Sequence, residues 1–321
     1  MRVLNHQDVE AVLSVEACIE AMQRLFEGLG RGEFFQPLRS RVRPEQSPNW
    51  LTLMPALRLG ARRLWALKEM AVTPENAARG RDPIEGAVLL HDGADGRLLG
   101  IVSAPALTAI RTAAVSAVAT RALAPRDART VAIIGAGVQG RAHVKAMRAV
   151  LPEAHIRIWG RTPRKAEALA RELGAEPAPT IEQALAGAHV VCTVTASAEP
   201  VVRREWFAPG AHINAVGSSA ASTREIDGAT FAAASVFVDR RESTIAESGD
   251  YLGALREGAI EGPEHLRAEL GEVLLGKHPG RERRDELTLY KSLGLAVQDL
   301  AAAELALELA AERGKGLEYP W

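Results

Sequence analysis

Only two cysteines, Cys18 and Cys192, occur among the 321 residues. Two thiols cannot build a disulfide framework, and such sparing use suits a reducing compartment. An excess of one charge sign is also lacking: 39 Lys and Arg stand against 40 Asp and Glu, for a net charge of −1. No whole-protein field is available to attract a polyanion, which argues against nucleic acid as a partner. No run of about 18 apolar residues is free of charge, and the opening MRVLNHQDVE lacks the apolar core of a signal peptide. The expectation is a cytoplasmic protein with no membrane partner. The 8 histidines are scattered without an i,i+4 pair, neither cysteine has a second nearby, and no G-x-S-x-G occurs. Neither a metal site nor a nucleophile elbow is therefore expected. Internal repeats, low-complexity tracts and long linkers are missing as well.

What is present is ordinary globular composition, 47% hydrophobic and 25% charged. At roughly 150 residues per domain the length corresponds to two lobes. Residues 14–30 predict an amphipathic helix, with Val15, Cys18, Ile19, Met22, Leu25 and Phe26 near one face. Segments 50–54, 64–68 and 85–102 predict strands, the last broken by DGADG as in a hairpin. An Ala-rich helix follows over 105–123, with Ser103 as its cap and Pro105 in its first turn.

Beyond about residue 125 the rhythm changes. TVAIIG (130–135), HIRIWG (155–160), HVVCTVT (189–195), HINAVG (212–217) and SVFVD (235–239) are short apolar runs, mostly separated by helical segments. Such alternation predicts an α/β, doubly wound parallel sheet of Rossmann type. A last long helix is expected over about 288–312, passing from one lobe to the other. The expected division is a mixed α+β lobe over 1–124, a dinucleotide-binding lobe over 125–294, and a C-terminal helical segment, about 295–321, that rejoins the first.

GAGVQG, comprising Gly135, Gly137, Val138, Gln139 and Gly140 around Ala136, directly follows one predicted strand and opens a helix. In that setting Gly135 permits the tight turn, Gly137 lets a pyrophosphate reach the backbone, and Gly140 allows close helix–strand packing. The free N–H groups of the helix start face the phosphates. A glycine turn that merely links strand to helix is the plain alternative; the flanking strand, helix and second strand favour the dinucleotide. At the end of the second strand, where an NAD site usually has a carboxylate, the sequence is WGRTPRK. Arg161, Arg164 and Lys165 are cationic and Thr162 is a donor, a set that suits a 2′-phosphate. The expected cofactor is NADP(H), with NADPH preferred over NADH. The alternative is a solvated basic helix start.

The sequence resembles the ornithine cyclodeaminase/mu-crystallin family over nearly its whole length. The resemblance is carried by QPLR (36–39), LMPA (53–56), the lysine of WALK (65–68), LLHDGADGRLLG (89–100), LTAIRTAA (107–114), GAGVQG, INAVG (213–217), VFVDRRE (236–242) and YKSLGLAVQDLA (290–301). It implies a homodimer whose first lobe binds substrate and supplies the dimer interface, while the second is a Rossmann domain. The family's substrates share an α-carboxylate beside an amine or imine carbon. It places the equivalents of Arg39, Lys68 and Arg111 around that carboxylate, holding the neighbouring carbon against the nicotinamide. Each has a plain alternative: Arg39 as one of a solvated set with Arg41 and Arg43, Lys68 snorkelling, Arg111 on a helix surface. Arg41 is the substitute for Arg39 if the register shifts. On the cofactor side the resemblance implies Thr112, Ser292 and Gly294, with a hydroxyl bonded back to its own helix as the plain alternative for Thr112. Val216 and Gly217 close a strand at the edge where Rossmann ligands bind, so Gly217 would let the nicotinamide approach, and Thr195 is expected on the same cofactor side.

The sequence departs from the cyclodeaminases at two positions. They carry an aspartate where this chain has Ser219, and a glutamate where it has Thr52. Cyclodeamination must deprotonate an amine and expel ammonia, so loss of both carboxylates disfavours it. Reduction of a cyclic imine needs less, because the nitrogen can arrive protonated and Ser219, or water held by it, can hydrogen-bond it. Glu225 and Asp227 are the nearby carboxylates that could restore acid/base chemistry. The expected activity is NADPH-dependent reduction of 1-pyrroline-2-carboxylate or 1-piperideine-2-carboxylate, with Lys68 and Ser219 as the catalytic residues. An alanine-type dehydrogenase or ornithine cyclodeaminase is the nearest alternative, and a non-catalytic NADPH-binding protein is the alternative of another class.

Overall fold

The structure, a computed structural model, describes residues 1–320. The chain falls into two units, 1–111 with 295–320, and 112–294. Trp321, at the end of the expected C-terminal segment, lies outside the described residues.

The first unit is built on an eight-stranded sheet. Its path runs Leu317–Glu318, Arg2–Leu4, Leu98–Ser103, Ile84–Asp92, Leu64–Val72, Trp50–Arg58, Phe34–Phe35, with Ser40–Val42 also pairing with Trp50–Arg58. The expected hairpin forms between Ile84–Asp92 and Leu98–Ser103, where Gly96 supplies a φ of 77° at the turn. Period-two alternation decides what faces inward. Thr52, Met54 and Ala56 are buried from one strand, and Leu64, Ala66 and Lys68 from the next. Lys68 is thus turned inward by the same parity that buries two apolar neighbours.

Helix Val15–Gly30 begins at Ser14, whose hydroxyl accepts from the Ala17 N–H, and presents Cys18, Ile19, Met22, Leu25, Phe26 and Leu29 as a buried stripe. Burial of a side chain such as Ile19 or Phe26 contributes about 2 kcal/mol each. The stripe packs against helix Ala296–Glu312, which lies on strands Trp50–Arg58, Leu64–Val72 and Ile84–Asp92. Helix Ala104–Leu123 is mainly alanine, valine, threonine and serine, and it contains the boundary between the units.

The second unit is the expected doubly wound parallel sheet. Its order is Glu176–Pro177, His155–Trp159, Thr130–Ile134, Val190–Thr193, His212–Ala215, Thr288–Lys291, Ser235–Val238, Leu266–Glu269. The chain reverses direction across the sheet between Thr130–Ile134 and Val190–Thr193, the switch point at whose carboxyl edge open α/β sheets bind ligands.

The structure corrects the expected helix from about 288. Thr288–Lys291 is a strand, parallel to its neighbours His212–Ala215 and Ser235–Val238, and the helix starts only at Ala296. All four strand residues are buried, so no alternation betrays a strand, and the leucines that follow imitate helical spacing. Gly294, at φ 80°, separates the two elements.

Candidate active site

In the first unit Lys68 and Arg111 converge on one carboxylate that sequence reasoning did not single out, Asp299. Lys68 Nζ lies 3.2 Å and Arg111 Nε 3.0 Å from the same oxygen, Asp299 Oδ1. Lys68 also donates to Thr108 Oγ1 at 2.7 Å, and Arg111 Nη1 to Gln298 Oε1 at 2.6 Å. Lys68 is 1% and Arg111 4% exposed, so neither the snorkelling lysine nor the surface arginine describes this chain. Burial pulls the Lys68 ammonium down to about 8; Asp299 opposes that shift, while Arg111 and Arg39 add to it. The half-buried Arg39 is therefore close enough to act on Lys68, whereas Arg41 is exposed in strand Ser40–Val42, opposite Thr52. Two cations against one carboxylate leave a surplus of +1 among buried side chains. Such a surplus is costly unless an anion offsets it.

In the second unit the three glycines differ in what surrounds them. Gly135 has a φ of 134°, and a side chain there would meet Val194 O at 2.8 Å. A Cβ on Gly140 would lie 2.0 Å from Gly135 O, so helix Val138–Val150 could not sit this close to the strand with any larger residue. At Gly137 a Cβ would meet nothing within 4 Å, and no side chain caps the helix there. The loop thus leaves room at a helix start, where a pyrophosphate would lie, and the residues fit a dinucleotide. Val138 is 67% exposed at that helix start. His143 fixes the loop from behind: its ring nitrogens meet Gln139 O at 2.8 Å and Ser116 Oγ at 2.9 Å. Burial holds its imidazole down to about 4, hence neutral. Arg161, Thr162, Arg164 and Lys165 are exposed at the start of helix Pro163–Leu173, whose N-cap, Thr162, makes no side-chain cap bond.

Apart from Thr112, which lies within helix Ala104–Leu123, the remaining cofactor-side residues stand just past the carboxyl ends of strands. Thr112 is buried. Val216 and Gly217 both donate backbone N–H groups to Thr193 O, at 3.0 and 3.1 Å. Gly217 is required by its own neighbours, since a Cβ would stand 2.0 Å from Thr195 O and 2.6 Å from Glu225 Oε1. Ser292 N donates to Ala215 O, and the N–H groups of Leu293 and Gly294 both reach Asp239 Oδ2, at 2.7 and 2.9 Å. Ser219 is half-buried on the loop that follows His212–Ala215. Neither nearby carboxylate is available for acid/base work: Asp227 caps helix Gly228–Ala233 through Thr230 N, and Glu225 is fully buried on backbone donors.

A profile of the ornithine cyclodeaminase/mu-crystallin family matches residues 1–314. The ketimine reductase mu-crystallin of Macropus fuliginosus is 34% identical over 319 residues, covering 95% of this chain and 96% of that protein. Among solved structures, the Δ1-pyrroline-2-carboxylate reductase of Thermococcus litoralis, determined with NADH and L-proline, superposes with a TM-score of 0.93 at 33% identity, covering 99% of this chain and 100% of that one. An archaeal alanine dehydrogenase dimer with bound NAD gives 0.92 at 27% identity, covering 100% and 99%. The fold accords with these similarities, and the chain belongs to the ornithine cyclodeaminase/mu-crystallin family.

Proposed function

We propose that this protein reduces a small cyclic imino acid, 1-pyrroline-2-carboxylate or 1-piperideine-2-carboxylate, to L-proline or L-pipecolate. The observation that carries the reading is the buried +1 surplus of Lys68, Arg111 and Asp299. An α-carboxylate neutralises it, and a guanidinium can grip a carboxylate through two parallel bonds. Arg39 adds a further positive charge close enough to act on Lys68. Ser219 offers a hydroxyl to the imine nitrogen, while Glu225 and Asp227 are both engaged elsewhere. A nicotinamide cofactor supplies the hydride when bound, and Gly135, Gly137, Val138, Gln139, Gly140 and Thr112 would hold its phosphates. Thr195, Val216, Gly217, Ser292 and Gly294 would line the nicotinamide half. The reading includes a homodimer, in line with the dimeric archaeal alanine dehydrogenase. It also places the protein in the cytoplasm, in line with two buried, unpaired thiols; among the described residues no helix is long and apolar enough to cross a membrane. The test is NADPH oxidation, followed by its near-ultraviolet absorbance, against a panel of cyclic imines. Turnover supports the reductase, whereas tight NADPH binding without turnover of any imine, oxo acid or amino acid points to the binding protein.

NADPH is proposed over NADH because Arg161 and Arg164, with Thr162, replace the usual ribose-binding carboxylate. Arg161→Ala is expected to weaken NADPH about tenfold and to leave NADH within twofold. Equal effects on both dinucleotides would refute the 2′-phosphate role.

A pH dependence follows from Lys68. Its ammonium persists below about 8 and is lost above it, whereas an ordinary lysine would stay charged to 10.5. Substrate kcat/KM should therefore fall as pH rises through about 8, while dinucleotide affinity stays level. A profile flat to about pH 10, the ordinary lysine range, would show that Lys68 does not act as a charge on the substrate.

A further inference from the structure

A second buried charged cluster, inside the dinucleotide-binding unit, takes no part in gripping the substrate carboxylate or the cofactor phosphates. Strands Val190–Thr193 and His212–Ala215 run side by side, with Thr193 opposite Ala215 in register. Just past their carboxyl ends the chain must separate into two loops, and one side chain holds them together. Glu225 Oε1 accepts from Thr195 N at 2.5 Å, and Oε2 accepts from Gly217 N at 2.7 Å and from Thr193 Oγ1 at 2.8 Å. Two of these partners are backbone N–H groups, one on each carboxyl oxygen, so both positions call for an acceptor; burial pushes the Glu225 carboxyl up, with Lys291 opposing that shift and Asp250 adding to it.

Glu225 is fixed in turn. Its own N–H and that of Ile226 donate to Asp250 Oδ1 at 2.8 and 3.0 Å. Asp250 Oδ2 pairs at 2.8 Å with Lys291 Nζ, which also donates to Ser218 O at 2.6 Å and Ala215 O at 3.3 Å. Glu225, Asp250 and Lys291 are all 0% exposed. Burying three ionisable side chains costs far more than neutral side-chain hydrogen bonds would, and merely closing a loop does not call for it. What the cluster achieves is a backbone fixed at two points, Thr195 and Gly217, on the half of the sheet beyond the switch point. The glycine loop and the Arg161 helix occupy the other half, which takes the adenosine and pyrophosphate portions of a dinucleotide.

We propose that Glu225 is a positioning residue for the nicotinamide half of the cofactor site, acting through the Thr195 and Gly217 backbone and backed by Asp250 and Lys291. The proposal rests on the dinucleotide reading above. Glutamine at 225 preserves shape but turns one acceptor into a donor, so a backbone N–H is left facing an N–H.

The test is binding rather than turnover. Dissociation constants of whichever of NADPH or NADH the protein prefers, and of the corresponding ADP-ribose fragment lacking nicotinamide, are measured by fluorescence or calorimetric titration on wild type and Glu225→Gln. The expected result is about a tenfold weaker dinucleotide with the fragment unchanged within twofold. Parallel weakening of both ligands, or no change in either, would overturn the proposal, because a general structural defect does not distinguish the two halves. Should Glu225→Gln fail to fold, Thr193→Val removes one donor and leaves the carboxylate in place. It should weaken the dinucleotide about threefold, again without touching the fragment; a parallel change would be equally fatal. Wild type that binds neither dinucleotide overturns the cofactor reading itself, and with it this one.

Discussion

Arg111→Ala is expected to lower kcat/KM for a cyclic imino acid by about a thousandfold while leaving dinucleotide affinity unchanged. The size follows from burial: Arg111 is 4% exposed, so water cannot replace a guanidinium removed from a substrate carboxylate. The variant should nevertheless fold. Removing Arg111 leaves Lys68 and Asp299 as a balanced pair and abolishes the +1 surplus. A second signature separates this from general damage. Arg111 is one of the charges that depress Lys68, so its loss lets the Lys68 ammonium persist to higher pH, and the alkaline limb of the profile should move upward from about 8. Activity within tenfold of wild type, with the limb unmoved, would rule out Arg111 as the carboxylate ligand.

Asp299→Asn should do the reverse. It removes the carboxylate that pairs with Lys68 and leaves two buried cations beside a neutral amide, a surplus of +2. Breaking a buried ion pair from one side costs about 3–5 kcal/mol. Thermal unfolding should move down by on the order of 10 °C. Asp299 is also the main group that holds the Lys68 proton on, so the alkaline limb should shift below 8. A high concentration of a small carboxylate such as acetate should recover part of the lost stability, since it supplies the missing negative charge. A Tm within a few degrees of wild type would show that the Asp299 carboxylate does not hold the two buried cations in the resting protein.

Arg111 and Asp299 also show what a sequence can and cannot disclose. Arg111 and Lys68 are visible because they stand in motif-like runs, LTAIRTAA and WALK. Asp299 lies within YKSLGLAVQDLA yet reads as an ordinary polar residue of a helix, because its partners are 188 and 231 residues away in the chain. Glu225 is visible only as a nearby carboxylate, and its anchoring of two loops escapes for a related reason: its donors are mainly backbone N–H groups, which no composition or spacing records. Two glycines of the loop are legible because Gly135 and Gly140 answer local steric demands, whereas a side chain at Gly137 would meet nothing within 4 Å. Gly217 is the exception, since its demand comes from Thr195 and Glu225, on a neighbouring strand end and further along its own loop. The helix expected from 288 fails because a strand buried on both faces carries no periodic signal.

That misjudged strand bears on how the protein is made. Thr288–Lys291 is inserted between two strands that precede it in the chain, His212–Ala215 and Ser235–Val238, and it bonds to both. Until it has left the ribosome, those two strands have open edges facing each other across a missing rung. A nascent chain that stops just short of Thr288 would hold every glycine and arginine of the phosphate-binding half and still be unable to close the sheet that presents them. The first unit waits as well, since helix Ala296–Glu312 lies on its sheet and carries Asp299. Both units should therefore finish folding together and late, after synthesis rather than one behind the other during it. For that interval the exposed strand edges are a point of vulnerability to aggregation.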